Sequence, residues 1–135
     1  MLMPYAADIV EPTIRVLVVD DTDHVRRMLT TMLAVDGFEV VGGASDGQSA
    51  IDEVAAAEPD VVVIDYKMPA MDGLETARRI RSQRPDQHVI LYTAFADPEV
   101  EAAAAEIGVA VCLGKVEGLG ALEQEIRRLA SQLRE

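Results

Sequence analysis

The chain has 135 residues, of which 50% are apolar and 27% are charged. This length suits one domain with a hydrophobic core and is short for two. Acidic residues outnumber basic residues by 24 to 12, which argues against a domain that binds nucleic acid or an anionic membrane, because phosphate contacts require a basic surface.

The amino-terminal residues and the cysteine content indicate the compartment. Residues 1–13 contain neither a basic n-region nor a long apolar segment, so they predict neither a signal peptide nor a transmembrane helix. We expect them to form a loosely ordered, flexible arm. Cys112 is the single cysteine, so no internal disulfide can form and a reducing compartment is favoured. We therefore expect a cytoplasmic protein without a membrane partner.

The chain after the arm begins as an alternation of apolar strands and amphipathic helices. Residues 14–19 are nearly all apolar, which is typical of a strand buried on both faces. Apolar residues then recur at intervals of three and four, which predicts a helix with one buried face. The residues of this face are Val25, Met28, Leu29, Met32 and Leu33. A second strand is predicted at residues 38–41 and a second helix at residues 47–57, with Ile51 and Val54 directed inward.

The second half of the chain continues the alternation. Four β-branched residues at 61–64 predict another doubly buried strand, which ends at Asp65. Asp97 followed by Pro98 is an N-cap with proline at the first helical position, and it predicts the start of the fourth helix. The other predicted elements are a helix at residues 74–82, a strand at 88–92, the end of the fourth helix near Gly108, a strand at 109–113, and a last helix with Leu119, Leu122, Ile126, Leu129 and Leu133 on its apolar side.

Five strands therefore alternate with five helices. Such alternation predicts an α/β fold, with a parallel sheet, right-handed crossovers and helices on both faces. We expect a single domain over residues 14–133 and no attached output domain.

Polar side chains follow four of the predicted strands. They are Asp20, Asp21, Asp65, Thr93 and Lys115. Because ligands of open α/β sheets bind at the carboxyl ends of the strands, we expect these groups to converge. Carboxylates held close together repel, and Mg²⁺ accepts oxygen ligands from one or two of them while leaving room for a phosphate oxygen. Asp65 would then be a nucleophile that forms an acyl phosphate.

Four segments carry a resemblance to a known family. They are LVVDD at residues 17–21, DYKMPAMDG at 65–73, YTA at 92–94 and GK at 114–115. In this order and at this spacing the chain resembles the receiver domain of two-component response regulators, over about residues 14 to 133. The resemblance implies a flavodoxin-like, doubly wound sheet with strand order 2-1-3-4-5.

The same resemblance implies a phosphoryl-accepting site. Asp65 would take a phosphoryl group from a histidine kinase or a histidine phosphotransfer protein. Asp21 and Asp65 would bind Mg²⁺ directly, together with the backbone carbonyl of Lys67. Asp20 would act largely through a water molecule.

The resemblance also implies a switch and a set of partners. The Thr93 hydroxyl would move toward the phosphoryl group, and Lys115 would bridge it. The surface of the fourth helix, fifth strand and fifth helix would then bind a downstream protein or a second copy of the chain. The domain would not be an enzyme beyond its own phosphorylation and autodephosphorylation. Met28 and Met32 are expected in the helix core or on a kinase-docking surface.

Two positions depart from the family pattern. Val116 follows the lysine where receivers commonly have proline after a cis peptide bond. A cis bond before a residue other than proline costs about 3 kcal/mol, so we expect either a trans bond or a strained loop. Cys112 stands where many receivers have an aromatic residue coupled to the switch, which leaves that coupling open. We expect Cys112 to act as a small, partly buried apolar residue.

Two other functions are consistent with parts of the sequence. The chain could be a receiver-like interaction module that works without phosphorylation, as Val116 and Cys112 suggest. Residues 21–25 also match the DxDxV motif of haloacid-dehalogenase-like phosphatases, with Asp21 as nucleophile and Asp23 as acid and base. That alternative gives no role to Asp65.

Overall fold

The computed structural model describes residues 12–132. The predicted arm at residues 1–13 lies almost entirely outside this range, and so does Leu133. The described elements are β1 (Arg15–Val19), α1 (Asp23–Val35), β2 (Glu39–Ala44), α2 (Gly47–Ala57), β3 (Val61–Ile64), α3 (Gly73–Gln83), β4 (His88–Thr93), α4 (Pro98–Ile107), β5 (Val111–Gly114) and α5 (Leu119–Gln132). A 3₁₀ turn, Lys115–Glu117, joins β5 to α5.

The five strands form one parallel sheet in the order β2-β1-β3-β4-β5. This confirms the predicted α/β fold and strand order. All four residues of β3 are buried, as its unbroken β-branched sequence predicted for a strand covered on both faces.

Helices cover both faces of the sheet and enclose two hydrophobic cores. Alternate side chains of a strand point to opposite faces, so Leu17 and Val19 contact the α2, α3 and α4 side, whereas Val16 and Val18 contact the α1 and α5 side. No helix within residues 12–132 is long and apolar enough to cross a membrane.

Strand β2 is longer than predicted and ends at Ala44. Gly42 and Gly43 continue the pairing with β1 after an irregularity in register beside Val16 and Leu17. Glycine has a low strand propensity, so local sequence gave no signal for this extension. Strand β5 is also displaced from its prediction, at Val111–Gly114 instead of residues 109–113.

The buried face of α1 is narrower than predicted. Leu29 and Leu33 are buried, but Met28 is 55% exposed and Met32 is 45% exposed. The two methionines lie beside the leucines and line a groove that also borders Leu119 at the start of α5. The helical period alone could not separate residues that contact the sheet from residues that line this groove.

Replacing Leu33 and Met32 in turn tests this division of α1. We expect Leu33→Ala to lower the free energy of unfolding by about 3 kcal/mol, because it leaves a cavity in a closed core. Met32→Ala should cost less than about 1 kcal/mol, because its side chain is half exposed. Urea denaturation measures both values. Equal losses for the two variants would contradict the described packing.

Candidate functional site

Three aspartates meet at the carboxyl ends of two neighbouring strands. Asp20 and Asp21 follow β1, and Asp65 follows β3. One carboxylate oxygen from each lies within 4.8 Å of the others. Asp20 is 2% exposed, Asp65 is partly buried and Asp21 is exposed. The cluster therefore reaches from the sheet edge to solvent.

Backbone N–H groups hold the two inner carboxylates in place. The Thr22 N–H donates to Asp20 Oδ1 at 2.9 Å, and the Tyr66 N–H donates to Asp65 Oδ1 at 2.7 Å. The Asp65 N–H donates to the Val19 carbonyl at 2.9 Å, which continues the β1–β3 pairing up to the site. The backbone that leaves β1 and β3 thus orients both carboxylates.

Lys115 supplies the cation that faces this cluster. Its Nζ lies 2.9 Å from Asp20 Oδ2 and 3.4 Å from Asp65 Oδ2. One ammonium group cannot neutralise three carboxylates. A set of carboxylate oxygens with excess negative charge fits a hard divalent cation, so the residues present suit a metal ion of this class.

Burial changes the acid–base properties of Asp65 and Lys115. Burial raises the pKa of Asp65 above its ordinary value, the charge of Lys115 opposes this rise, and the charge of Asp20 adds to it. Hydrogen bonding by the Thr93 hydroxyl also lowers the Asp65 pKa. Burial alone would lower the pKa of Lys115, but its hydrogen bond to Asp20 and the charge of Asp65 outweigh burial and raise it. Lys115 therefore remains an ammonium group.

Thr93 lies at the end of β4 and is fully buried. Its Oγ1 accepts a hydrogen bond from the Phe95 N–H at 3.1 Å. The hydroxyl is thus linked both to Asp65 and to the loop that leads into α4. The structure brings together Asp20, Asp21, Asp65, Thr93 and Lys115.

Lys67 and Phe95 form a contact between the loops after β3 and β4. Lys67 Nζ lies 4.5 Å from the centroid of the Phe95 ring, within the range of a cation–π interaction. Both residues are exposed, and each lies two positions after a residue of the site. The role of the Lys67 carbonyl as a metal ligand stays a prediction.

The two departures in β5 and the following turn have simple structures. The peptide bond between Lys115 and Val116 is trans, one of the two expected alternatives, and Val116 is 95% exposed in the 3₁₀ turn. Cys112 is partly buried against the core on the α2, α3 and α4 side, in keeping with the expectation of a small apolar residue.

Gly73 is a positioning residue that the sequence reasoning missed. Asp72 caps α3 by accepting from the Glu75 N–H at 2.9 Å, as a turn residue would. The backbone of Gly73 packs against the site. Its N–H donates to the Tyr66 carbonyl at 2.7 Å, and a Cβ on Gly73 would overlap the Asp65 carbonyl oxygen. The single signal was a glycine directly after an N-cap, which is weak.

The family of the chain follows from comparison with known proteins. Residues 16–127 match the family model of the response regulator receiver domain. The chain therefore belongs to the receiver domain family of two-component signalling, as its motifs suggested. Members of this family are generally signalling modules and not enzymes.

Particular relatives agree with this assignment. The chain is 40% identical over 115 residues to the response regulator GacA of Pseudomonas viridiflava, a match that covers 84% of this chain and 54% of GacA. The chain thus spans about half the length of that curated relative.

Two solved structures share the fold. The signal receiver domain of NarL from Mycobacterium tuberculosis has a TM-score of 0.83 and 31% identity, with 90% of this chain and 98% of that chain covered. The response regulator TrrA of Thermotoga maritima, solved in complex with Mg²⁺-BeF, has a TM-score of 0.78 and 28% identity, with 87% and 99% covered.

Substitution of Gly73 tests its contact with Asp65. We expect Gly73→Ala to destabilise the fold by on the order of 2 kcal/mol, because the added Cβ must displace backbone that holds Asp65. The backbone amide resonances of Asp65 and Tyr66 should shift with it. Chemical denaturation and ¹⁵N NMR spectra provide the measurements.

Gly120 offers a matched control for this substitution. It lies in the first turn of α5, and a Cβ there would contact nothing within 4 Å. Gly120→Ala should stabilise the fold by up to about 1 kcal/mol through helix propensity. Identical behaviour of the two alanine variants would contradict the close approach at Gly73.

Proposed function

We propose that Asp65 accepts a phosphoryl group from a histidine kinase or a histidine phosphotransfer protein. The observation that carries this proposal is the environment of Asp65. Its Oδ1 is held by the Tyr66 N–H and its Oδ2 lies 3.4 Å from Lys115, beside two further carboxylates. An oriented, partly buried carboxylate with a cation beside it suits nucleophilic attack on phosphorus.

The proposed transfer needs little covalent chemistry from the protein. A carboxylate oxygen of Asp65 forms a bond to phosphorus while the phosphorus–nitrogen bond of the donor phosphohistidine breaks. The imidazole leaves with the bonding electron pair and takes up a proton. Because Asp65 attacks as a carboxylate, no general base is required. The Lys115 ammonium group binds an oxygen of the transferred group.

The acidic cluster fits Mg²⁺ as the cofactor of this reaction. Asp21, Asp65 and the Lys67 backbone carbonyl would hold the ion, and Asp20 would act largely through water. When bound, Mg²⁺ supplies positive charge that neutralises the phosphoryl oxygens. The complex of TrrA with Mg²⁺-BeF supports this proposal by similarity.

The switch proposed for this receiver begins at Thr93. Its hydroxyl would turn from the Phe95 N–H toward the phosphoryl group, and the loop after β4 would follow. This movement would alter the α4, β5 and α5 surface, which would bind a downstream protein or a second copy of the chain. Cys112 supplies no ring to move with Thr93, so the loop itself would carry the change.

The phosphatase alternative is poorly supported by the geometry around Asp23. The Asp23 carboxylate is paired with Arg26 at 2.7 Å. In the phosphatase alternative the same carboxylate would have to act as acid and base, and this ion pair disfavours that role. We propose instead that the domain is labelled stoichiometrically and loses its phosphoryl group to water. The single-domain organisation and cytoplasmic location stay predictions.

Phosphorylation by acetyl phosphate tests the role of Asp65. With Mg²⁺ present, intact mass spectrometry should show one added phosphoryl group on the native protein and none on Asp65→Asn. The matched control Asp52→Asn changes an exposed acid of α2 and should be labelled like the native protein.

Other outcomes of this experiment would reject the proposal. Labelling of Asp65→Asn would show that another residue is the acceptor. Repeated hydrolysis of a phosphomonoester would favour the phosphatase alternative. A folded protein labelled neither by small donors nor by histidine kinases would be an interaction module that works without phosphorylation.

The groove beside α1 is the docking surface that we propose for the phosphodonor protein. It has a volume of about 360 Å³ and is lined by apolar residues together with Lys115. These apolar residues include Val25, Met28, Leu29, Met32 and Leu119. Because Lys115 also contacts Asp65, a donor helix with an apolar face in this groove would present its phosphohistidine close to the acceptor.

Substitutions in the groove should separate protein donors from small donors. We expect Met28→Ala to slow transfer from a phosphorylated kinase by about tenfold, equivalent to about 1.4 kcal/mol of lost interaction. Labelling by acetyl phosphate should not change. Val35→Ala, which alters a 78% exposed residue of the same helix, is the control and should leave both rates unchanged. Equal slowing with both donors would contradict docking in the groove.

A further inference from the structure

Glu123 is a buried carboxyl group without a matching donor. It lies in α5, is 8% exposed, and no N–H or O–H group donates to its Oε2. Among residues 12–132, Oε2 of Glu123 is the only buried side-chain nitrogen or oxygen atom without a hydrogen-bond partner of the matching type. A buried carboxylate that lacks both a donor and a paired cation is strongly disfavoured.

The group that faces Glu123 from α1 is another acid. Asp36 is the C-cap residue of α1 and is itself exposed, and its carboxyl group raises the pKa of Glu123 by hydrogen bonding and by its charge. The last turn of α1 contains no basic residue, and the carboxyl end of a helix carries a partial negative charge. Two carboxyl groups therefore meet at an end of α1 that already disfavours negative charge.

The nearest cation is directed elsewhere. Arg127 lies one turn further along α5, and its guanidinium carbon is 4.8 Å from the centroid of the Phe38 ring. It attracts Glu123 only at a distance, and no described acid lies within 4.0 Å of it.

The remaining elements packed against α5 bring no other charge to Glu123. In the turn before α5, Lys115 bonds to Asp20 and Asp65, and Glu117 accepts from the Gly114 N–H at 3.3 Å. The core residues of β3 and β4 on this side are apolar or, in Tyr92, aromatic. They are Val61, Val63, Ile90 and Tyr92.

We propose that Glu123 keeps its proton near neutral pH by donating a hydrogen bond to Asp36, and that this bond joins the end of α1 to α5. The protonated carboxyl group donates a hydrogen bond to the other, which removes the unmatched buried charge. Loss of the proton leaves two facing carboxylates that repel. The contact between α1 and α5, which border the groove beside Lys115, is then sensitive to pH.

The acid–base properties of Glu123 agree with this proposal. Burial raises its pKa first, hydrogen bonding to Asp36 and the charge of Asp36 raise it further, and Arg127 lowers it, so that the pKa changes from an ordinary value of 4.5 to about 7. Between these two values the folded protein binds a proton that the unfolded chain does not. Stability therefore falls as pH rises through this window and levels off above it.

Carboxyl ¹³C NMR of the full chain tests the proton on Glu123 directly. We expect Glu123, assigned by comparison with Glu123→Gln, to titrate with a midpoint near 7 in the native protein. In Asp36→Asn the midpoint should fall, because the Asn amide donates to the carboxylate and the negative charge is gone. A native midpoint between about 4 and 5 would overturn the proposal, and so would a midpoint that Asp36→Asn does not move.

Thermal unfolding at several pH values gives an independent readout. Glu123→Gln keeps the size of the side chain and can donate to Asp36 at every pH. Its melting temperature should match that of the native protein near pH 5 and exceed it near pH 8. Glu106→Gln, an exposed substitution in α4, should keep the native pH profile. Parallel profiles for Glu123→Gln and the native protein would overturn the proposal, and the Asp36→Asn titration decides the matter if Glu123→Gln does not fold.

Discussion

The contact of Lys115 with Asp20 and Asp65 is the interaction on which the candidate site depends. Two partly or fully buried carboxylates side by side would repel, and the ammonium group between them offsets this repulsion. Strand β1 and strand β5 are three strand spacings apart, on the order of 14 Å. The 2.9 Å contact between Lys115 and Asp20 therefore requires the two side chains and the loops that carry them to span the distance between β1 and β5, over the ends of β3 and β4.

Much of this arrangement was predictable because burial on both faces leaves a clear pattern in a strand. The β-branched run at residues 61–64 predicts a central strand. Asp65 follows this strand and is therefore predicted at the ligand-binding edge of a parallel sheet. The strand order could not be predicted in this way, since alternation of strands and helices allows several orders. The order 2-1-3-4-5 came from the resemblance to a family, and the structure confirms it.

The parts that sequence could not predict depend on contacts between distant segments. The extension of β2 through Gly42 and Gly43 depends on pairing with β1, and the low strand propensity of glycine gives no sign of it in the sequence. The exposure of Met28 and Met32 depends on where α5 lies. Gly73 was given no role of its own, because its contact with the Asp65 backbone exists only once α3 is docked. In each case a local rule was applied correctly, and tertiary packing determined the outcome.

Asp65 and Glu123 show how the same group is directed to different chemistry by its neighbours. Both are carboxyl groups whose pKa is raised by burial. Asp65 has a backbone N–H and an ammonium group within hydrogen-bonding distance, and both favour the charged form that a nucleophile needs. Glu123 has an acid opposite it and no donor, which favours the proton. The number of donors that the fold brings to each carboxyl group, more than the degree of burial, therefore decides whether it is suited to accept a phosphoryl group or a proton.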